Sequence, residues 1–378
     1  MKINLDDNGM HLRFAPLTLT RPVGDLRCGI FTNAERWQFY LPDATVYFET
    51  EKYLQAKFPS CDLPDLTVNA CLIPDEEVVA AAVNLEDDEV LIYEGHWLAK
   101  KGSGQNKVFY KGENPLLLQY RWDLFEKNHL AILKDFSGIK QLKHSQPLSE
   151  TNILIGNIEN LFIEEGAKIE GAILNTNHGP IYIGKGTEIM EGCMVRGPLS
   201  LCEEATLKMG AKVYGATTIG PHCKVGGEIS NVVFQAFSNK GHDGFLGNSV
   251  IGEWCNLGAD TNTSNLKNNY SLVATYSYET QKEEKTNVQF MGLTMGDHSK
   301  CGINTMFNTA SVVGVCSNIF GSGFPKKFVS SFQWGSADEM EVFQFEKALI
   351  AANNMMERRG LKLSEADIQI LRHIFDQV

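Results

Sequence analysis

Ile183-Gly184-Lys185-Gly186-Thr187-Glu188-Ile189 opens a stretch that decides the fold. From it, Ile183, Ile189, Val195, Leu201, Leu207, Val213, Ile219 and Val225 recur every six residues, and all eight are branched aliphatics. Neither the 3.6-residue period of a helix nor the two-residue alternation of a strand produces that spacing. A fixed six-residue step is the mark of a parallel β-helix built from hexapeptides. Each hexapeptide supplies one flat face, with a short strand, one inward aliphatic and a turn. Three faces close a triangular coil of about 18 residues, and the aliphatics stack into ladders along its axis. Turn-prone residues follow the inward positions, as in Ile219-Gly220-Pro221.

The rest of the chain extends that core. Ile163 and Ile169 already stand six apart, and Asn175–Pro180 shifts the register by two. The period loosens after Val225 and returns at Ile251 and Leu257. Met295, Cys301, Phe307, Val313 and Ile319 keep the same step. Asn268 to Lys285 is polar and reads as a loop or hairpin projecting from the coil. Residues 337–359 have helical composition, and Ser364 with Asp367 fits a capping box for a last helix ending near Phe375.

The first 140 or so residues read as a small mixed α/β unit. Lys2–Leu5 and Ala44–Phe48 are strand candidates, and Thr32 caps a helix to Tyr40. Asp75–Leu85 is helical, with acidic residues in its first turn. Val90–Tyr93 and Trp97–Ala99 form a hairpin through Glu94-Gly95-His96, and Trp122–Ile132 is a helix leading into a linker. The expected organisation is an α/β domain over 1–140, a linker over 141–150, the coil over 151–335 and a helical tail over 336–378.

At 378 residues the chain is long enough for two cores, and 43% hydrophobic with 21% charged residues is a globular composition. A formal net charge of -12 argues against a nucleic-acid surface, which carries a basic excess. No apolar run approaches the roughly 20 residues of a membrane helix, and an acidic N-terminus is unlike a signal peptide. Nine scattered cysteines without a C-x-x-C pair point to reduced thiols and a cytoplasmic protein.

Two stretches carry resemblances. Arg13-Phe14-Ala15-Pro16-Leu17-Thr18-Leu19-Thr20-Arg21-Pro22 resembles the R-x-x-P-L-T…P that follows the glycine-rich loop of sugar-phosphate nucleotidyltransferases. The resemblance implies a reduced, Rossmann-like nucleotidyltransferase domain in which Arg13, Thr18 and Arg21 bind the nucleotide, with Mg²⁺ needed if that transfer operates. The G-x-G of the loop is missing, and Val23 stands where a lysine normally follows the proline.

Gly241-His242-Asp243-Gly244-Phe245-Leu246-Gly247-Asn248-Ser249-Val250-Ile251-Gly252, continued by Asn256-Leu257-Gly258-Ala259-Asp260-Thr261-Asn262-Thr263-Ser264-Asn265, is the second. It resembles the acetyltransferase half of the bifunctional glucosamine-1-phosphate acetyltransferase/N-acetylglucosamine-1-phosphate uridyltransferase family. That resemblance implies a left-handed coil, a homotrimer, and acetyl-CoA as co-substrate in the groove between neighbouring coils. It also implies His242 as the base that deprotonates the attacking amine, and the Ala259 N–H as donor to the thioester oxyanion. Asn256 and Asn265 would bind the amino-sugar phosphate. Phe245 replaces the family's tyrosine at the substrate, Asp260 replaces a glycine, and Lys240 would bind substrate there while offsetting the added carboxylate.

His178, His222, His242 and His298 lack the H-x-x-x-x-H spacing by which γ-class carbonic anhydrases hold zinc between subunits, so no metal site is expected. The expectation is therefore a transferase acetylating an amino-sugar 1-phosphate from acetyl-CoA. Two alternatives stand beside it: nucleotidyl transfer by the N-terminal domain, and a non-catalytic scaffold that binds a nucleotide sugar. Neither a nucleic acid nor a membrane is an expected partner.

Overall fold

The computed structural model describes residues 1–378. All eight aliphatics of the opening stretch point inward and are at most 2% exposed. Around them the chain winds as a parallel β-solenoid. Ile163 pairs with Ile183, Ile183 with Leu201 and Leu201 with Ile219, so each ladder repeats after three hexapeptides, with two extra residues in the first turn at Asn175–Pro180. A second ladder passes through Ile169, Ile189, Leu207 and Val225, and a third through Leu174, Val195 and Val213. Burying a branched aliphatic contributes about 1.5–3 kcal/mol, and the turns from Ile183 to Val213 bury three each.

One rung breaks the aliphatic rule. Phe234, Lys240 and Leu246 lie six apart, and Lys240 occupies the inward slot next to Val225, only 1% exposed. Its Nζ donates to the carbonyls of His242 at 2.8 Å, Asp243 at 3.1 Å and Gly226 at 3.4 Å. Three carbonyls replace the water this ammonium leaves behind. Burial still pushes its pKa down to about 8.

The N-terminal domain is a six-stranded mixed sheet in the order Thr45–Glu49, Lys2–Asp6, Leu66–Asn69, His96–Lys100, Glu89–Tyr93, Asn106–Phe109. Local signals behave as their chemistry predicts. Helix Asn33–Tyr40 starts on a capping box: the Glu35 N–H donates to the Thr32 hydroxyl at 3.1 Å, and the Thr32 N–H donates to the Glu35 carboxylate at 2.8 Å. Asp75 caps helix Glu76–Val83. The Glu89–Tyr93/His96–Lys100 hairpin turns on Glu94 and Gly95, both at positive φ, as a two-residue turn matching strand twist requires. Past Trp122 the chain forms two helices, Asp123–Glu126 and Asn128–Leu142, the second running ten residues beyond the expected end at Ile132. Its extension is held by burial of Phe136 and Ile139 against Phe162 and Tyr182 on the coil.

The domain lies along one face of the coil rather than at its end. Val233, Val250, Met291 and Ala310 of the coil side belong to the same buried cluster as Ile3, Leu5 and Val68. Hydrogen bonds seal the seam: the Arg27 N–H donates to Gln235 Oε1 at 2.7 Å, and the Thr218 hydroxyl to the Gly29 carbonyl at 2.9 Å. Arg21 is the strongest tie. Its guanidinium reaches Asp297 at 2.5 Å and Glu253 at 2.7 Å on the coil, and Asp25 at 3.4 Å within its own domain.

Residues 274–285 form the expected hairpin, Ala274–Ser277 against Lys282–Lys285. It does not project into solvent but folds onto the N-terminal domain, where Arg121 donates to the Thr275 hydroxyl at 2.8 Å and Arg13 pairs with Glu279 at 3.1 Å. The tail also differs from its composition. Met340–Val342 is a strand antiparallel to Gln333–Gly335 and covers the last edge of the coil, so the helix runs only from Phe345 to Glu357. Helix Glu365–Phe375 starts on the Ser364/Asp367 capping box.

Two outcomes follow from these packings. Arg21→Ala leaves Asp297 buried without its partner, so it should destabilise the protein by about 3 kcal/mol or more, read as a lower denaturation midpoint in urea. For Lys240, a folded-state pKa below the unfolded value means the unfolded chain holds more protons between about pH 8 and pH 10.5, so stability from this group rises with pH across that window. The stability difference between wild type and Lys240→Met should therefore shift in favour of wild type as pH rises from about 8 to 10.5; a difference flat with pH would refute the buried ammonium.

Candidate active site

The turn 241–244 joins Asn239–Lys240 on one face of the coil to Phe245–Ile251 on the next, and it presents His242 at the corner. His242 is exposed and its ring makes no hydrogen bond within the chain, while its carbonyl is held by Lys240. Lys240 thus stands behind the histidine as a support. It has no surface from which to touch substrate, which corrects the substrate-binding role given to it. The reason is positional, since the inward slot of a rung admits no solvent.

His242, Asn256 and Ala259 line one groove of about 890 Å³. The Ala259 N–H donates to no backbone carbonyl, so it is available to an incoming acceptor. Asp260, exposed beside it, adopts φ 55°, a left-handed conformation that glycine takes freely and aspartate tolerates better than most residues. Its side chain turns back to Asn262, whose amide donates to it at 3.2 Å, and it does not line the groove.

The groove is cationic. Lys208, Lys224 and Lys300 rise from the coil, Arg358 and Arg359 come from the end of helix Phe345–Glu357, and no aspartate or glutamate lines it. These charges feel one another: the pKa of Lys224 is lowered, first by burial and then by Arg359, Lys208 and Arg358. Arg359 is fixed by donating to the His222 carbonyl at 3.1 Å. Sequence reasoning missed these five because their charges come from separate rungs and from the tail.

One wall carries Phe237 and Trp254, the middle members of a longer stack of rings. His222, Phe237, Trp254 and His298 occupy the same corner of successive turns, each at positive φ between 55° and 60°. A non-glycine residue pays about 1–2 kcal/mol for that conformation. Stacking offsets part of it: Phe237 and Trp254 lie 4.2 Å apart at 6°, and His222 and Phe237 4.8 Å apart at 13°. Burial and Lys300 push the His298 pKa down to about 3, so that ring is neutral.

Phe245 and Asn265 lie elsewhere. They line a second groove of about 710 Å³ on the adjoining face, bordered by Glu126 and His129 of the N-terminal domain. The Asn265 amide donates to Asn248 Oδ1 at 2.8 Å, and the Phe245 N–H to Asn262 Oδ1 at 2.8 Å. One chain therefore divides the expected site residues between two separate grooves.

The expected nucleotide residues do not converge. Thr18 is fully buried, donating to the His11 carbonyl at 2.6 Å, and Arg21 is buried in its carboxylate cluster. Thr18 is held inward by a carbonyl of its own domain, and Arg21 by carboxylates of the coil that no short motif encodes. Arg13 alone remains at a surface. At the end of strand Lys2–Asp6, where the glycine-rich loop would offer N–H groups, stand Asp6 and Asp7. Asp7 accepts from the Val23 N–H at 2.9 Å and from the Thr50 hydroxyl at 2.6 Å. Carboxylates there repel a triphosphate. No group of three or more His, Cys, Asp or Glu side chains is placed to hold a metal ion, all nine thiols are free, and no helix is long and apolar enough to cross a membrane.

Residues 3–144 match the family model described as sugar nucleotidyl transferase. Bifunctional protein GlmU of Trichodesmium erythraeum (strain IMS101) is 27% identical over 135 residues, covering 35% of this chain and 24% of that protein. Bifunctional protein GlmU of Wigglesworthia glossinidia brevipalpis is 26% identical over 159 residues, covering 37% of this chain and 32% of that protein. The matches thus span a quarter to a third of those relatives' length. Among solved structures, the Arabidopsis UDP-N-acetylglucosamine acyltransferase is 15% identical with a TM-score of 0.25, covering 58% of this chain and 79% of that one, a score at which the likeness carries no argument. The chain is thus similar over residues 3–144 to sugar nucleotidyl transferases and distantly to the bifunctional GlmU proteins, with that region folded against a parallel β-solenoid.

Proposed function

We propose that this protein is a CoA-dependent N-acetyltransferase acting on an amino-sugar 1-phosphate. The observation that carries the reading is the groove lined by His242, Asn256 and Ala259, which holds five cationic side chains and no carboxylate. Acetyl-CoA brings a pyrophosphate and a further phosphate to such a surface, and charge-assisted hydrogen bonds to phosphate are among the strong ones. Its flat base has Phe237 and Trp254 beside it. With the thioester in the groove, His242 takes the proton from the attacking amine, the Ala259 N–H stabilises the tetrahedral oxyanion, and Asn256 orients the amine or acetyl group. The thiolate of CoA leaves.

Phe245 and Asn265 would hold the sugar, and they reach the same reaction centre if neighbouring chains bring the second groove to the first. The coil face that carries Phe245 supports such an assembly: it presents Ile153, Met194 and Tyr214, which are 57%, 46% and 39% exposed. We assign this face to a homotrimer.

Thiol release from acetyl-CoA with glucosamine 1-phosphate tests the reading. His242→Ala should lower kcat by about a hundredfold or more, whereas Lys224→Ala with Arg358→Ala should raise the KM for acetyl-CoA about tenfold and leave kcat close to wild type. No thiol release with any of a small panel of amino-sugar phosphates, together with pyrophosphate release from UTP and a sugar 1-phosphate, would replace it by the nucleotidyl transfer that the family match of residues 3–144 favours. Sedimentation should give the mass of three 42.0 kDa chains, and Met194→Glu should dissociate them; a monomer at micromolar concentration would refute the trimer.

A further inference from the structure

The groove of His242 contains one side chain that the fold leaves unsatisfied. Asn239 lines it, and the Asn239 Oδ1 is buried without a hydrogen-bond partner. No other residue of that groove carries such an atom. The Nδ2 of the same amide makes no hydrogen bond within the chain and is not enclosed. A buried acceptor left unpaired costs the fold its desolvation penalty. An amide held at neither end also turns readily about its last torsion, which has broad wells in asparagine. One half-turn exchanges the atom that faces the groove, so this side chain can donate or accept.

Register fixes where Asn239 stands. Lys224 pairs with Asn239, Asn239 with Asn256 and Asn256 with Lys300, so these outward side chains form one row across successive turns, about 4.8 Å apart. Lys208 lies one turn before Lys224, and Arg359 joins that end by donating to the His222 carbonyl at 3.1 Å. Lys300, past Asn256, is turned back to the His298 carbonyl at 2.8 Å. Along its own rung, Asn239 follows the ring of Phe237 and precedes His242. It therefore separates the positive and aromatic end of the groove from the corner of His242 and the Ala259 N–H. In acetyl-CoA, the part that separates the phosphates and base from the thioester is the pantetheine arm. That arm is uncharged and carries two amides, each with one N–H and one carbonyl.

We propose that Asn239 binds the pantetheine arm through one of these amides, so that the groove takes a pantetheine thioester in a single direction, phosphates toward Lys224 and acetyl group toward Ala259. This role rests on the acyl-transfer reading and adds to it the residue that recognises the arm. The unpaired Oδ1 is then the cost of keeping an amide ready for the donor.

The test is calorimetric titration of the full chain with CoA and with adenosine 3′,5′-bisphosphate, which carries the nucleotide end of CoA and lacks the arm. Asn239→Leu should weaken CoA about tenfold and leave the bisphosphate at its wild-type affinity, whereas Lys224→Ala should weaken both. Asn239→Leu should also melt no lower than wild type, because it removes an unpaired buried acceptor. If the leucine variant fails to fold, Asn239→Ala carries the titration. CoA affinity unchanged, or an equal loss of both ligands with a lower melting point, would overturn the role of Asn239 and leave the acyl-transfer reading standing. Failure of wild type to bind either probe would overturn both. Selective loss of CoA without turnover of any amino-sugar phosphate would keep Asn239 and remove the acceptor.

Discussion

The aliphatic ladder is the constraint on which everything else rests. A solenoid turn buries no face by itself; it closes only because the turn before and the turn after present the same side chain at the same depth. That demand fixes one residue in six and leaves the outward positions free to vary. The outward faces are therefore where the chain acquires its differences. One is covered by the N-terminal domain, a second carries the cationic groove and part of the tail, and the third is open with apolar side chains in a row.

Chemistry gathers at the corners because the faces are occupied by hydrogen-bonded ladders whose backbone groups are already paired. At a corner the chain turns, N–H groups come free, and side chains leave the ladder. His242 sits on such a corner, and the Ala259 N–H is free on the turn one rung later. The buried Lys240 shows how far the coil bends its own rule for this. An ammonium replaces an aliphatic, and two of the three backbone carbonyls it gathers belong to the turn that carries the histidine.

What was legible in the sequence follows from how local each cause is. Branched aliphatics at six-residue spacing, the Thr32 and Ser364 capping boxes and the Glu94-Gly95 turn all act over a few residues, and all three kinds of signal gave the right element. Lys240 was misread as a surface cation because lysine usually is one. Its place six residues after Phe234 and six before Leu246 was the available clue. The role of Arg21 was hidden for a different reason. A motif reports which residues are adjacent in the chain, whereas the partners of Arg21 lie 232 and 276 residues away. The cationic groove was invisible for the same reason, since Arg358 and Arg359 meet Lys208 and Lys224 only after the tail has folded back.

That distance has a consequence for how the protein is made. The N-terminal domain leaves the ribosome long before the carboxylates of Glu253 and Asp297 exist. At about 5–20 residues per second, Arg21 waits roughly 14–55 s for Asp297. Through that interval the face bearing Leu17, Val23 and Leu26 also lacks the coil surface that shares its core. The nascent domain is thus an unfinished half, sticky on one side and carrying a cation where it will later be dry. Its early life depends on whatever in the cell shields such surfaces during synthesis.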